Sequence, residues 1–468
     1  MESIILHQDN KIDDGKNDDD NNVNIEDGGS DDELKENSKF EIKKWIKNKS
    51  SNAAPVVRRK LEDLASKFIK FLGFVGPGYG NWATDLAGGS QFGYSLLFII
   101  LCSNFMAMLL QSLSIKLGVV TGMACKVFYP KYVGYVLYVL AELAIIACDL
   151  AEVIGSAIAL KMLFGLALPW GVAVTSLDVI VILFIYRDDD LRSSKILEGL
   201  VMLLVAIVGI CFVLELRYSE PNPADVLKGY LPSSGIFTDS RQLYIAIGII
   251  GATVMPHNLY LHSHLVKVRK HREESKEINN KENKLESGQD IASTTSIFQS
   301  IVSHTITYST IDSTAALTFA LFVNSSILIV AASNFFYNES GSIEVADLFD
   351  AFDLLNQYLG KAAGTIFALA LLIAGQSSTL TATIAGQIVM EGFLGWTIRP
   401  WLRRLLTRIV AIVPAMLIAI FRGEQGLNEM LVASQVALSI QLPFAVIPLV
   451  YFTSSRKCME IDIRKIDD

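Results

Sequence analysis

The sequence predicts an all-α integral membrane protein of ten spans, organised as five plus five, with broken first and sixth helices. Three observations predict it. Hydrophobic residues make up 51% of the 468 and mean hydropathy is +0.40, too apolar for a soluble chain of this size. Several uncharged runs reach the roughly 20 residues that a helix needs to cross a bilayer. Two runs, one opening each half, are interrupted at corresponding places, by Gly76-Pro77-Gly78-Tyr79-Gly80-Asn81 and by Met255-Pro256-His257-Asn258. Paired interruptions of this kind point to an inverted-repeat architecture with a binding site near the bilayer midplane.

Taken in order, residues 1–60 form a tail that is acidic and then basic. Its first forty residues are rich in Asp, Asn, Glu and Gly, too poor in apolar groups to build a core, and are expected to be disordered. The membrane domain is expected over 61–453. Its spans are placed near Phe68–Asp85, Phe92–Ile115, Tyr132–Leu163, Pro169–Tyr186 and Ile196–Leu216, then Leu243–His264, Ser313–Phe336, Ala362–Phe393, Leu402–Phe421 and Asn428–Phe452. A charged cytoplasmic loop is expected over 267–310, and a short tail over 454–468. Basic residues cluster in the loop after Lys267, at Arg187, Arg192 and Lys195, and at Arg399, Arg403, Arg404 and Arg408. With ten spans these clusters fall on the side of both termini, which the positive-inside rule makes cytoplasmic. The sequon Asn338-Glu339-Ser340 then falls on the outer or lumenal side as a glycosylation candidate. The five cysteines show neither a disulfide framework nor CxxC spacing. No nucleophile–base set or cofactor loop is present, so neither catalysis, a cofactor nor a nucleic-acid partner is expected.

The break in span six gathers chemistry. Proline removes a helix hydrogen bond and collides with the preceding turn, and broken backbone persists at membrane depth only where it lines a cavity or is buried in protein. Unwinding near Met255 would free carbonyls, that of Ala252 among them. A carbonyl oxygen with a thioether disfavours Ca²⁺ and Mg²⁺ and favours Fe²⁺, Mn²⁺ or similar ions; the competing reading is that Met255 simply packs. His257 and His262 are five apart, a spacing that does not suit a joint metal site on one helix face, so proton handling or helix capping is the expected role of each.

Span three carries Glu142, Asp149 and Glu152 in otherwise apolar sequence. Asp149 and Glu152 share a helix face, and Glu142 lies close to it. Intramembrane acids need partners or water. Two readings stand together: a proton path, and a buried ion-pair network with Arg403 and Arg404 of span nine. Gln435 and Gln441 of span ten can each ligate an ion or bond a neighbouring helix.

The stretches GNWATDLAGGSQFGYSLL, AELAIIACDLAEVIG, VMPHNLYLHSH, STIDSTAALTFALFVN, AGQSSTLTATIAGQIVMEGFL and SQVALSIQLPFAVIPL resemble, in order, the Nramp family of proton-coupled divalent metal transporters. The resemblance covers nearly everything from span one to span ten. It implies a LeuT-type fold and transport of Fe²⁺, Mn²⁺ and related ions with protons toward the cytosol. It implies Asn81, the Ala252 carbonyl, Met255 and Gln435 as metal ligands. It implies Asp149, Glu152 and His257 on the proton route, with Arg403 and Arg404 as cytoplasmic-side partners; Glu142 and His262 are added from their positions. Endosomal, vacuolar, phagosomal and plasma membranes are the locations it suggests.

The chain departs from the family at one place. The family's span-one motif is Asp-Pro-Gly-Asn, whereas Gly78 and Tyr79 precede Gly80-Asn81 here, as though about nine residues carrying the aspartate and proline were missing by family analogy. Length agrees: the uncharged run between Lys70 and Asp85 is about fourteen residues, roughly 21 Å of helix against a hydrocarbon core of about 30 Å. Without the aspartate only neutral donors remain unless Asp85 substitutes, and its position beyond the break disfavours that. The alternative function is therefore a non-transporting relative with a sensing or interaction role.

Overall fold

A computed structural model describes residues 79–120, 130–177, 191–267, 294–337, 346–395 and 398–455. Asn338, the basic cluster after Lys267, Arg187 and Gly76–Gly78 lie outside the described residues, whereas Arg192 and Lys195, expected in the same connection as Arg187, fall in the first turns of the helix Leu191–Tyr218. The helices are α1 (Tyr79–Phe92), α2 (Leu97–Val120), α3 (Lys131–Phe164), α4 (Leu191–Tyr218), α5 (Ser240–Thr253), α6 (256–267), α7 (Thr294–Ala331), α8 (Leu348–Leu359), α9 (Lys361–Leu394), α10 (Pro400–Phe421) and α11 (Gly423–Ser454). Short helices at Leu168–Val174, Pro223–Gly229 and Gly235–Thr238 serve as connections. Among the described residues, six helical segments are long and apolar enough to cross a membrane.

The chain is an all-helical membrane protein, and its core is made where α1, α4 and α9 meet. Trp82 stacks on Phe367 at 5.2 Å, and Phe212 meets the same ring edge-on at 5.9 Å. Around them Leu86, Ile154, Ile158, Ile327 and Leu371 are almost wholly buried. α3 packs along α9 and α11, and α5 along α11. Small residues permit the last approach: a Cβ on Gly251 would strike the backbone carbonyl of Gln435.

The α10 helix shows what a bilayer asks of a sequence. Leu402, Leu406, Ile409, Val410, Val413, Leu417 and Ile420 are exposed, whereas Arg403, Arg404, Arg408, Ala411 and Ala415 are buried. Apolar groups face outward where lipid would lie, and charge faces the protein interior, where partners exist.

Three boundaries differ from the sequence reading. The sequence places the end of the first span at Asp85, but α1 continues to Phe92; Asp85 is buried against protein, so its charge does not mark a water-exposed end. The loop expected over 267–310 gives way to helix at Thr294. That segment has no charged side chain before Asp312, and Val302 and Ile306 pack on Ile115 and Val266. Finally, the sequence pattern groups Arg403, Arg404 and Arg408 with the connecting-loop charges. They lie within α10 and are 6%, 2% and 1% exposed. They answer buried acids, so of that cluster only the exposed Arg399 remains as a loop charge.

Candidate metal centre and acid network

Helix α5 ends at Thr253, Val254 and Met255 are non-helical, and helix resumes at 256. Proline is tolerated at a helix start, where its missing N–H would have had no partner anyway. The break thus falls where the sequence put it. Ala252 is buried and Met255 partly so. The Met255 side chain packs against the cluster of Ala144 and Ala147 of α3 and Leu438 of α11, and its sulfur accepts from Asn258 Nδ2 at 3.6 Å. It points into the bundle.

Gln435 of α11 reaches the same region from the other side. Its carboxamide lies directly over Gly80, at the start of α1, where any Cβ would collide with it. Its Nε2 donates to Ser434 Oγ at 2.9 Å, while its Oε1 is buried with no hydrogen-bond partner. A buried carbonyl oxygen left without a donor is unfavourable and is the kind of atom a cation would satisfy. Asn81, next to Gly80, is 7% exposed. The Gly80 and Asn81 carbonyls accept from Thr84 Oγ1 at 2.8 and 3.2 Å. Gln435 therefore touches both the first turn of α1 and, through Gly251, the end of α5. The four candidate ligands come from the three segments that converge here. Among the described residues no group of three or more His, Cys, Asp or Glu is placed to hold a metal ion; the candidate donors gathered here are amides, a thioether and a backbone carbonyl.

The charged residues form a separate group along α3. Arg403 Nη2 donates to both Glu142 oxygens at 2.5 Å. Arg404 pairs with Asp149 through Nη1 and with Glu152 through Nη2, the latter at 3.1 Å. Glu152 also accepts from Thr379 Oγ1 at 2.6 Å and lies 3.7 Å from Arg408 Nη1. Asp149, Glu152, Arg404 and Arg408 are each at most 2% exposed. The ion-pair reading of the acid stripe is therefore realised in the geometry. The stripe also keeps unsatisfied proton-accepting atoms: Asp149 Oδ2 and His257 Nδ1 are buried without hydrogen bonds. His257 lies within electrostatic reach of Asp149. His262 is partly buried on α6.

Sequence reasoning missed Thr379 and Arg408 as partners of Glu152, since neither a hydroxyl in a Ser/Thr-rich helix nor one arginine among four stands out. It also passed over Glu215, whose two oxygens are buried without partners, although it closes the long apolar run that begins at Gly199. Asp85 was noted, and its Oδ2 is likewise buried without a partner.

Comparison with known proteins agrees with this architecture. The family described as natural resistance-associated macrophage protein-like matches residues 67–464. The protein named divalent metal cation transporter MntH from Nostoc sp. is 51% identical over 404 residues, covering 83% of this chain and 85% of that one. Its namesake from Bradyrhizobium diazoefficiens is 49% identical over 404 residues, covering 83% of each. Among solved structures, the Eremococcus coleocola manganese transporter superposes with a TM-score of 0.67 at 33% identity, over 85% of this chain and 80% of that one. Mhp1, a nucleobase-cation-symport-1 transporter, reaches 0.50 at 13% identity, over 83% and 76%, a likeness of fold alone.

Proposed function

The chain belongs to the natural resistance-associated macrophage protein (Nramp) family, and from that premise we propose that it moves a divalent transition-metal cation across a membrane together with protons, toward the cytosol. The cargo is Mn²⁺, Fe²⁺ or a similar ion, held by Asn81, the Ala252 carbonyl, Met255 and Gln435. The observation that carries this reading is the Gln435 Oε1, buried and unpartnered over Gly80 on a helix that touches both broken segments. A soft thioether beside neutral oxygens suits an ion of intermediate hardness better than Ca²⁺ or Mg²⁺.

Protons would travel separately, along α3. Asp149 Oδ2 and His257 Nδ1 have room to take a proton, and Glu152, Glu142, Arg403 and Arg404 hold the chain of ion pairs that a proton would rearrange. His262 lies one helix turn and more beyond His257 on the way out. A multi-pass membrane protein of this kind would draw protons from an acidic compartment (endosome, vacuole or phagosome) or across the plasma membrane, with both termini in the cytosol.

The test is metal binding to the purified protein by calorimetry, with uptake into proteoliposomes under an inward proton gradient. Gln435→Leu is expected to weaken Mn²⁺ binding while leaving the folded protein intact, because the oxygen it removes has no partner and the Nε2 bond it breaks goes only to the neighbouring Ser434 hydroxyl. Unchanged Mn²⁺ affinity would remove Gln435 from the site. One observation favours a second reading, a relative that binds or senses metal without moving it. No aspartate precedes Gly80-Asn81, so the family's anionic ligand is absent from that motif. Binding without uptake would select this second reading.

A further inference from the structure

At the end of the bundle away from Arg403, residues 346–350 tie three elements together. Ala346 N donates to Ser90 Oγ of α1 at 3.0 Å. Asp347 caps α8: its Oδ1 accepts from the backbone N–H of Phe349 and of Asp350, at 2.8 and 3.1 Å, and Asp350 Oδ2 accepts from Asp347 N at 2.8 Å. This reciprocal cap satisfies N–H groups that a helix start leaves open. The second Asp347 oxygen leaves the helix and accepts from Asn428 Nδ2 of α11 at 2.5 Å. Leu348, Ala351 and Leu355 anchor α8 in the core, so the cap is held against the bundle.

The two helices joined here also carry candidate ligands. Asn428 lies seven residues before Gln435, close to the same face of α11. Ser90 lies nine residues beyond Asn81 on α1. We infer that Asp347 is a positioning residue that clasps α8 to the Gln435 helix, next to the Ala346 bond that ties the same segment to the Asn81 helix, and so sets how readily the metal site opens at that end. The inference rests on the transport reading above for its meaning, but the clasp itself is measurable without transport.

Its chemistry makes the clasp respond to pH. Burial first, and the neighbouring Asp350 carboxylate second, push the Asp347 carboxyl up to about 6; burial also raises Asp350. The charged groups around it are Asp350 and Asp353 on α8 and Glu424 on α11, with Lys161 of α3 as the facing cation. Lys161 pairs with Glu424 and lies 5.0 Å over the Phe349 ring. A carboxyl that holds its proton more tightly in the closed clasp than in water favours the closed form in acid. That bias is full below the ordinary carboxylate range and is lost as pH rises through about 6. Protonation is compatible with the clasp, because the Asn428 amide can turn its oxygen to accept. Two units of difference set a ceiling of about a hundredfold on the change in the closed-to-open ratio, and partial exposure brings the expected value nearer tenfold.

The test uses spin labels at the exposed Gln357 and Gln425 in a cysteine-free full-length background, with distances recorded at pH 5 and pH 8. The parent protein is expected to gain the short-distance population about tenfold in acid. Asp347→Asn can still cap and still bond Asn428 but cannot titrate, so it is expected to stay closed at both pH values. Asp347→Ala and Asn428→Ala are expected to open at both. Mn²⁺ uptake by Asp347→Asn is expected to show a flattened pH profile with little change in KM. A parent distance that ignores pH, or an Asp347→Asn protein that still follows it, would overturn the inference. Absent uptake with an intact distance response would instead count against the transport reading alone.

Discussion

The two functional regions of this bundle are built on opposite principles. Around Met255 and Gln435 the candidate donors are neutral, packing is close, and two amide oxygens, Gln435 Oε1 and Asn258 Oδ1, are left without partners. Along α3 and α10 the groups are charged, and most are paired, Arg403 with Glu142 and Arg404 with Asp149 and Glu152. Opposite charges buried together hold each other in place, and the loss of either is severe. A neutral site lacks that mutual hold and can stay unsatisfied until cargo arrives. On the function proposed above, this separation would let one region recognise the ion while the other keeps buried charge stable and takes up protons.

Breaking the charged region should do most damage. Arg404→Ala would leave Asp149 and Glu152 without their main cation, and a loss of about 3–5 kcal/mol is expected, read as a lower yield and melting temperature in detergent. Glu152→Gln should cost far less, since Thr379 and Arg404 can still bond the amide oxygen.

The neutral region should respond in function rather than stability. Inserting an Asp-Pro-bearing segment ahead of Gly80-Asn81, on the pattern of the family motif, would add a charged ligand. Uptake is expected to rise roughly thirtyfold or more, the scale of a desolvated charge contact of about 2 kcal/mol. Strong Mn²⁺ uptake by the unaltered chain in manganese-import-deficient cells would show that the neutral set suffices. In that insertion variant, Met255→Ala is expected to relax discrimination against Ca²⁺, measured as competition with Mn²⁺ uptake. Unchanged preference would remove the thioether from the selectivity argument.

Glycine contacts give the smallest and sharpest contrast. Gly251→Ala drives a methyl into the Gln435 backbone, which cannot yield, and about 1–3 kcal/mol of destabilisation is expected. Gly80→Ala meets only the Gln435 carboxamide, the far end of a flexible side chain. It should fold nearly as well yet bind Mn²⁺ more weakly. Equal melting temperatures for the two variants would contradict the packing at Gly251.

Much of this was legible in the chain. Long uncharged runs dictated helices in a bilayer, because no other local structure satisfies its own backbone there. Pro256 after Met255 fixed a break, and the isolated acids in span three demanded partners. Covalent geometry and solvation act at short range along the chain, so they can be read residue by residue. Which groups meet was decided by tertiary structure alone. That Arg403, Arg404 and Arg408 turn inward, that Thr379 completes Glu152, that the Gln435 carboxamide lies on Gly80, and that Asp347 reaches Asn428 all depend on helix rotation and depth. Those are settled by side-chain packing between segments as much as two hundred or more residues apart, which no local pattern encodes.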